Sequence, residues 1–336
     1  NNSRRTFLRG SLGLAASVSA LGQWTSAAEP ISPLVGRTKH DLPTPALVLD
    51  LAVFEANLAR MAAHAKSAGI ALRPHAKTHK CVEIARRQLA AGALGVCVAT
   101  MREAEAMAAG GIGGLLITSE MVGTDKIGRL VRLTAWQPDT MTVVDHAQHA
   151  EQLNAAAGAA KVRLNVLLDV DPGSRRTGVA PGAPAKDLAR FVARLPHLVL
   201  RGIHCYSGAS AHVAGFEARR THSAKAMAPA IATFNELRQE GLPLELLSGG
   251  STGTYNIDPG FKAMTELQVG SYVFMDVEYR RIGGQSGAVY DDFGTALSVI
   301  ATVISKNEPR RATTDAGIKA FATDRKFGPE LKDPTG

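Results

Sequence analysis

A short basic segment carries the residue pattern in this sequence that is most typical of covalent chemistry. It reads Leu-Arg-Pro-His-Ala-Lys-Thr-His-Lys over residues 72–80. If the segment is a strand, alternate side chains share one face, which here would carry Arg73, His75, Lys77 and His79. Burial and neighbouring positive charges both lower the pKa of an amine, so Lys77 is a candidate nucleophile at neutral pH. The spacing equally allows a solvated surface strand, and Pro74 weakens either reading because it has no N–H for a ladder.

A stretch rich in glycine and hydroxyl groups follows a predicted strand later in the chain. Residues 248–254 read Ser-Gly-Gly-Ser-Thr-Gly-Thr. Glycines let backbone N–H groups approach an anion closely, and barrels often bind phosphate in the loops after their last strands. A flexible loop without a ligand is the plain alternative. The candidate phosphate contacts are Gly249, Gly250, Ser251, Thr252 and Gly253.

Two further candidates come directly after predicted strands. Arg176 follows the strand predicted at 162–169, and Tyr206 follows the one predicted at 198–203. Active sites of barrels lie at the carboxyl ends of the strands, where both side chains can donate hydrogen bonds to an anionic ligand. A solvated turn arginine and a core aromatic are the alternatives that the residues leave open.

The elements that must position these residues alternate between strands and helices. Apolar runs of strand length occur at 46–49, 95–99, 114–118, 141–145, 162–169, 198–203 and 244–248, and alanine-rich helical stretches at 51–68, 80–91, 102–109, 125–136, 146–157, 185–195 and 216–240. This alternation predicts an α/β fold, a (β/α)8 TIM-type barrel over residues 36–275. No GxGxxG follows the first strand, which argues against a dinucleotide-binding sheet. After residue 275 the helices cease, and we predict the start of a β-rich C-terminal domain (276–336) that is truncated.

The lysine segment resembles the cofactor-lysine motif of the D-threonine aldolase and D-serine dehydratase family. These are fold-type III pyridoxal-phosphate enzymes, related to alanine racemase. The resemblance implies that Lys77 holds pyridoxal 5'-phosphate as a Schiff base, with His75 as a neighbouring cofactor contact. It also implies that the glycine-rich loop grips the phosphate and that Arg176, which precedes Thr-Gly, contacts the phenolic oxygen of the cofactor.

A later segment is similar to the last barrel strand and turn of fold-type III enzymes. It reads Gln-Val-Gly-Ser-Tyr over residues 268–272. By this likeness Gly270 and Ser271 bring backbone N–H groups to the phosphate. Gln268 takes the place beside the pyridine nitrogen that alanine racemases give to an arginine, so the contact there would be neutral.

The same resemblance implies a divalent metal, Mn or Zn, near the substrate hydroxyl. Its ligands, a His with a nearby Asp or Cys, would belong to a segment after residue 324. The sequence has no histidine after His222, so it offers no metal residues to assign. We therefore expect a metal only if a further C-terminal segment supplies the ligands.

These features predict a pyridoxal-phosphate-dependent lyase that acts on β-hydroxy D-amino acids. Cleavage of the Cα–Cβ bond would make it a D-threonine aldolase-type enzyme, and loss of the hydroxyl a D-serine dehydratase-type enzyme. An amino-acid racemase of the same fold and a non-catalytic pyridoxal-phosphate-binding barrel are the alternatives. The resemblance also implies a homodimer.

The first 28 residues have the layout of a twin-arginine signal peptide. Arg4 and Arg5 precede a small-residue apolar run, and Ser-Ala-Ala at 26–28 provides a cleavage site, so we predict export to the periplasm. No apolar run reaches the roughly 18 residues that span a bilayer. The net charge of +8 is not gathered into a basic block, so we predict neither nucleic-acid nor membrane binding after signal removal.

Overall fold

The computed structural model describes residues 34–322 and 328–332 of the chain. The predicted signal peptide lies outside these residues. The strands of the described part are β1 (Ala46–Leu49), β2 (Ala71–Leu72), β3 (Cys97–Val98), β4 (Leu116–Ile117), β5 (Met141–Val144), β6 (Leu164–Asp169), β7 (Leu198–Cys205), β8 (Leu246–Gly249), β9 (Glu266–Leu267), β10 (Leu297–Ile300), β11 (Val303–Glu308) and β12 (Arg311–Thr314).

Helices separate most of these strands. They are α1 (Leu51–Ala68), α2 (Val82–Ala90), α3 (Met101–Ala109), α4 (Thr124–Trp136), α5 (Ala147–Ala159), α6 (Ala183–Ala193), α7 (Gly208–Ala211), α8 (Phe216–Gln239) and α9 (Val277–Arg280). The α1 helix shows why the boundaries fall where they do. Asp50 caps its first turn by accepting a hydrogen bond from the Val53 N–H, and Gly69 ends it with a φ of 64°, a left-handed conformation that favours glycine.

Eight parallel strands, β2 to β9, form the predicted barrel. Around the sheet each strand neighbours the next in sequence, and β9 pairs with β2. A parallel bridge between His75 and Cys97 joins β2 to β3 and closes the circle. The (β/α)8 prediction is therefore confirmed. Because helices cover the outer face, strands such as β5 are buried on both faces and read as continuous apolar runs.

The first predicted strand is not part of the barrel. β1 pairs antiparallel with β10, so its prediction as the first strand of the alternating series is wrong. Its four apolar residues resemble a buried barrel strand in sequence, but Leu47 is 72% exposed. The barrel sheet begins at β2, and β1 joins the segment that follows the barrel.

The segment after the barrel is β-rich, as predicted. It contains β10 and the antiparallel pair of β11 and β12. The first strand of this segment begins only at Leu297, although the apolar residues from 290 onward are typical of strand sequence. Tyr290 and Phe293 are instead buried loop side chains that pack against the main core. No helix within the described ranges is long and apolar enough to cross a membrane.

Candidate active site

A cavity of about 230 Å³ opens at the carboxyl ends of the barrel strands. Five of the predicted site residues line it, namely His75, Lys77, Arg176, Tyr206 and Gln268. Sequence reasoning had assigned no role to the other lining residues, Ala99, Thr118, Ser119, Glu120, Thr177 and His204. The tertiary structure thus gathers residues that follow β2, β3, β4, β6, β7 and β9.

The lysine segment does not continue as a strand. β2 ends at Leu72, and Lys77 lies in a 3-10 turn, Ala76–Thr78, in which the Lys77 N–H donates to His75 Nδ1 at 3.3 Å. The prediction that four alternate residues share one strand face is therefore wrong. The His79 ring turns away to Gln88 of α2, with its Nε2 3.3 Å from the amide oxygen. The turn itself, rather than strand alternation, places Lys77 in the cavity.

Lys77 is poised to act as a nucleophile. Lys77 remains accessible to solvent, but partial burial of its amine lowers the pKa of that group, and the nearby guanidinium of Arg176 lowers the pKa further. Both effects favour the neutral amine at neutral pH. The prediction of a lowered pKa holds, but the cationic neighbour comes from the loop after β6 and not from the lysine segment. Lys77 Nζ lies 5.2 Å from the centre of the Tyr206 ring.

His75 is held as a neutral imidazole beside the lysine. Burial, followed by the charge of Lys77, places the pKa of His75 well below its usual value. Its Nδ1 accepts the Lys77 N–H, so the ring proton belongs on Nε2, which lies 3.0 Å from Thr118 Oγ1. The Thr118 hydroxyl in turn donates to the Val98 carbonyl, which is 3.2 Å away. These contacts fix both the tautomer and the orientation of the ring.

Gln268 is connected to a buried carboxylate beneath the cavity. Its Nε2 donates to Ser248 Oγ at 2.7 Å, and that hydroxyl donates to Glu266 Oε1 at 2.6 Å. Glu266 is fully buried and forms an ion pair with Arg73 at 3.0 Å. Arg73 therefore neutralises a buried acid inside the barrel and does not line the cavity. Gln268, with its neutral amide, is the member of this network that lines the cavity.

His204 is the most informative residue that sequence reasoning missed. It lies on β7, two residues before Tyr206, and only 1% of it is exposed. Its Nδ1 lies 2.6 Å from Asp169 Oδ1 at the end of β6, and Thr177 Oγ1 donates to Asp169 Oδ2 at 2.9 Å. Both His204 and Asp169 lie at the carboxyl ends of adjacent strands, and this shared position could have identified them from the sequence.

The glycine-rich loop is buried and does not line this cavity. Residues 249–254 run from the end of β8 into a 3-10 turn, Thr252–Thr254. A side chain at Gly253 would overlap the carbonyl of Ala211, so close packing requires glycine there. The predicted phosphate contacts Gly249, Gly250, Ser251, Thr252, Gly253, Gly270 and Ser271 stay predictions.

The predicted phosphate turns nevertheless lie next to the lysine turn. A Cβ at Gly270 would approach Thr78 Oγ1 to 2.6 Å, so these two turns pack directly together. The Tyr272 N–H donates to Thr252 Oγ1 at 3.1 Å, which joins the Gly270 turn to the glycine-rich loop. Lys77, the Gly270 turn and the glycine-rich loop are therefore neighbours at one end of the barrel.

These features fit an aldehyde cofactor that carries a phosphate. The cavity offers an amine with a lowered pKa, an aromatic ring, a guanidinium and the buried Nε2 of His204, which has no hydrogen-bond partner among the described residues. An unpaired buried nitrogen is costly unless a ligand or water completes its hydrogen bond. The residues present therefore fit pyridoxal phosphate.

Comparison with known proteins gives the family. Residues 49–278 match the model of the alanine racemase N-terminal domain, and residues 296–335 match that of a putative serine dehydratase domain. The chain belongs to the alanine racemase N-terminal domain family. The relatives that are named as aldolases or dehydratases are fold-type III enzymes. Pyridoxal phosphate is the cofactor expected for these enzymes.

Several members of the alanine racemase N-terminal domain family are similar to this chain over most of its length. The 3-hydroxy-D-aspartate aldolase of Paracoccus denitrificans (strain Pd 1222) is 36% identical over 88% of this chain and 77% of that protein. The D-threo-3-hydroxyaspartate dehydratase of Delftia sp. (strain HT23) is 32% identical over 87% and 76%. The crystal structure of D-threonine aldolase from Filomicrobium marinum superimposes with a TM-score of 0.79, at 39% identity, over 84% of this chain and 75% of that one.

A metal site does not emerge from the part of the chain that the structure describes. No group of three or more His, Cys, Asp or Glu side chains there is arranged to hold a metal ion. The described residues therefore do not fit the divalent metal that the family resemblance implies, and we derive no step through it.

Proposed function

We propose that this chain is a pyridoxal-phosphate-dependent lyase of β-hydroxy D-amino acids. The observation that carries the proposal is the position of Lys77, whose amine has a lowered pKa in a cavity shared with Arg176 and Tyr206. Relatives named as aldolases and dehydratases of such substrates, at 32–40% identity, support the same chemistry.

When bound, pyridoxal phosphate supplies an electron sink for a bond broken at Cα. The protein supplies the rest. Lys77 would hold the cofactor aldehyde, and its lowered pKa favours the neutral amine that this reaction requires. In elimination it would also take the proton from the substrate Cα. Arg176 supplies a positive charge for the phenolic oxygen or the substrate carboxylate, and the Tyr206 ring supports the lysine.

We propose that the glycine-rich loop, with Gly270 and Ser271, holds the phosphate. The Gly270 turn packs against the turn that carries Lys77 and is joined to the glycine-rich loop by the Tyr272–Thr252 hydrogen bond. Close packing at Gly253 leaves no space for larger residues. Backbone N–H groups in such a loop suit an anion because they approach it without a side chain in between. This loop would then hold the phosphate while Lys77 holds the aldehyde end of the cofactor.

Aldol cleavage is the outcome that the comparisons favour over elimination. The relatives with the higher identities, 40%, 39% and 36%, carry aldolase names, and the dehydratase named above is 32% identical. D-threonine would then give glycine and acetaldehyde. Elimination from D-serine would instead give pyruvate and ammonia. A divalent metal belongs to this proposal only if residues outside the described ranges bind it.

The test uses the full chain loaded with pyridoxal phosphate. A panel of D- and L-amino acids is assayed for aldehyde, keto acid and the opposite enantiomer, with and without a chelator. We expect aldehyde from D-threonine, a visible cofactor band that borohydride removes, and loss of both in Lys77→Ala. Lys80→Ala is the matched control, since that side chain is 66% exposed three residues away. Retention of the band and of activity in Lys77→Ala overturns the proposal, and formation of L-enantiomer alone replaces it with a racemase.

We further propose that the protein is exported to the periplasm and forms a homodimer. Export is supported by Arg4 and Arg5 before the apolar run, and replacing both by lysine should leave the protein in the cytoplasm when fractions are compared. Dimerisation is supported only by the family resemblance. Light scattering of the purified protein tests it, and a monomer mass would contradict it.

A further inference from the structure

A chain of polar side chains leads from the cavity into the wall between β6 and β7. His204 lines the cavity, and its Nδ1 lies 2.6 Å from Asp169 Oδ1. Its Nε2 is buried and has no hydrogen-bond partner within the described part of the chain. A histidine that is held on one side by a carboxylate and is open on the other is arranged to exchange a proton at the open nitrogen.

The carboxylate of this pair is itself joined to a second acid. Glu120 lines the cavity after β4, and its side chain lies within hydrogen-bonding reach of Asp169. Two carboxyl groups can hydrogen-bond each other only if one of them keeps a proton. Burial, followed by the contact with Asp169, raises the pKa of Glu120 to about 7. Contact with His204 holds the pKa of Asp169 low against its own burial, so the shared proton belongs on Glu120.

The charged groups around these three side chains favour a proton on Glu120 and a charge on Asp169. Asp145 adds negative charge near Glu120, which further disfavours ionisation of that acid. On the cavity side, the group of the lysine turn that faces His204 is His75, whose pKa is lowered well below its usual value, so it stays neutral. Lys77 and Arg176 supply the positive charge in the same cavity.

We propose that His204, Asp169 and Glu120 form an acid–base relay that serves the molecule bound in the cavity. His204 is the group that meets the ligand, and Asp169 and Glu120 are positioning residues that set its tautomer and proton affinity. The inference rests on the proposed function, since it adds a second acid–base group to the one that Lys77 provides. No residue of the relay belongs to the lysine motif or to the predicted cofactor contacts.

The proton balance of the relay is simple. In the proton-accepting form that we propose, Nε2 of His204 is open, Nδ1–H donates to Asp169, and one proton is shared between Asp169 and Glu120. The set then carries one negative charge. When the bound ligand gives a proton to Nε2, an imidazolium forms beside the Asp169 carboxylate, and the set becomes neutral. The proton returns along the same bond to a later form of the ligand, so no other reactant is needed.

Two readouts test the relay, and one of them needs no cofactor. Nitrogen NMR of histidine-labelled, cofactor-free protein reports the tautomer and protonation of His204, whose signals are identified by their loss in His204→Gln. We expect the pH dependence of these signals to include a step from the titration of Glu120, near pH 7, and this step should disappear in Glu120→Gln because an amide does not ionise. Asp169→Asn should reverse the tautomer. In loaded enzyme, His204→Gln should lower kcat about 100-fold with little change in KM, the usual size of a general acid–base contribution.

His149→Gln is the matched control for these variants. His149 is also a buried histidine with an unpartnered ring nitrogen, but its Nε2 lies 3.1 Å from the Met121 carbonyl outside the cavity. This variant should keep the His204 transition and kcat. An unchanged His204 transition in Glu120→Gln, with kcat of His204→Gln equal to wild type, overturns the relay while leaving the lyase proposal intact. Failure of the lyase proposal would instead appear as retention of the cofactor band and of activity in Lys77→Ala. The NMR transition of His204 would not be affected by that result.

Discussion

Arg73 and Glu266 form a buried ion pair across the seam where the first and last barrel strands meet. Arg73 Nε lies 3.0 Å from Glu266 Oε1, and the two side chains are 7% and 0% exposed. The pair joins β2, which leads to Lys77, to β9, which leads to Gln268. The basic segment that first suggested chemistry therefore divides into two parts. Arg73 stabilises the barrel, and the turn after it carries Lys77, whose amine has a lowered pKa.

Breaking this pair should destabilise the fold strongly. We expect Glu266→Gln to lower the free energy of unfolding by about 3–5 kcal/mol, because an uncompensated charge stays buried. Denaturant unfolding measures the loss. Glu245→Gln, which removes the partner of Arg201 in an exposed pair, is the control and should cause a much smaller change. Equal losses in both variants would contradict the role assigned to Arg73.

Removing the charge of Arg176 should make Lys77 more basic. Burial of Lys77 remains in Arg176→Gln, but the second cause of its lowered pKa is gone. The pH midpoint at which the amine reacts with pyridoxal phosphate should therefore rise. The limiting rate at high pH is read separately, because it also reports the proposed contact of Arg176 with the cofactor. Arg175→Gln, one residue earlier and exposed, is the control. A reaction profile that does not move in Arg176→Gln would rule out the proposed coupling.

A methyl group at Gly253 should disturb the glycine-rich loop. The added Cβ would overlap the carbonyl of Ala211, so the loop has to shift. We expect Gly253→Ala to lower the free energy of unfolding by about 1–3 kcal/mol, the usual cost of overpacking, and to weaken retention of pyridoxal phosphate. Gly260→Ala is the control because a Cβ there meets nothing within 4 Å. Similar cofactor retention in the two variants would argue against a phosphate site in this loop.

The acid behind the glycine-rich loop should make stability depend on pH. Asp258 is buried and accepts hydrogen bonds from Ser223 and Thr254, each at 2.6 Å. Burial raises its pKa from 3.8 to about 6. Because the folded pKa exceeds the unfolded one, its contribution is fully present below pH 3.8 and is lost as the pH rises through about 6.

Asp258→Asn isolates this effect. The free energy of unfolding of the wild type should fall relative to the variant by about 3 kcal/mol across that pH range. Asp315→Asn provides a control of opposite sign, because hydrogen bonding from Thr44 lowers the pKa of Asp315. Denaturant unfolding at a series of pH values measures both. Parallel curves for the wild type and Asp258→Asn would show that the buried acid does not titrate in this range.

The sequence by itself determined the class of fold, and it singled out Lys77 as the candidate nucleophile. Strand-length apolar runs alternate with helices because each parallel strand is covered by a helix, and that periodicity is local. The residues after the strands, including Arg176 and Tyr206, could be placed at one end of the barrel because parallel strands end together. Gly69 and Asp50 likewise mark the ends of α1 through short-range hydrogen bonds.

Only the tertiary structure decided which polar residues meet. β1 reads as a barrel strand, yet its pairing with β10, more than 240 residues away, places it outside the barrel. Arg73 finds Glu266, and His204 finds Asp169 and Glu120, through contacts between strands that are distant in sequence. Burial and the charges of neighbouring groups then set the pKa of each group, and both depend on the closed barrel.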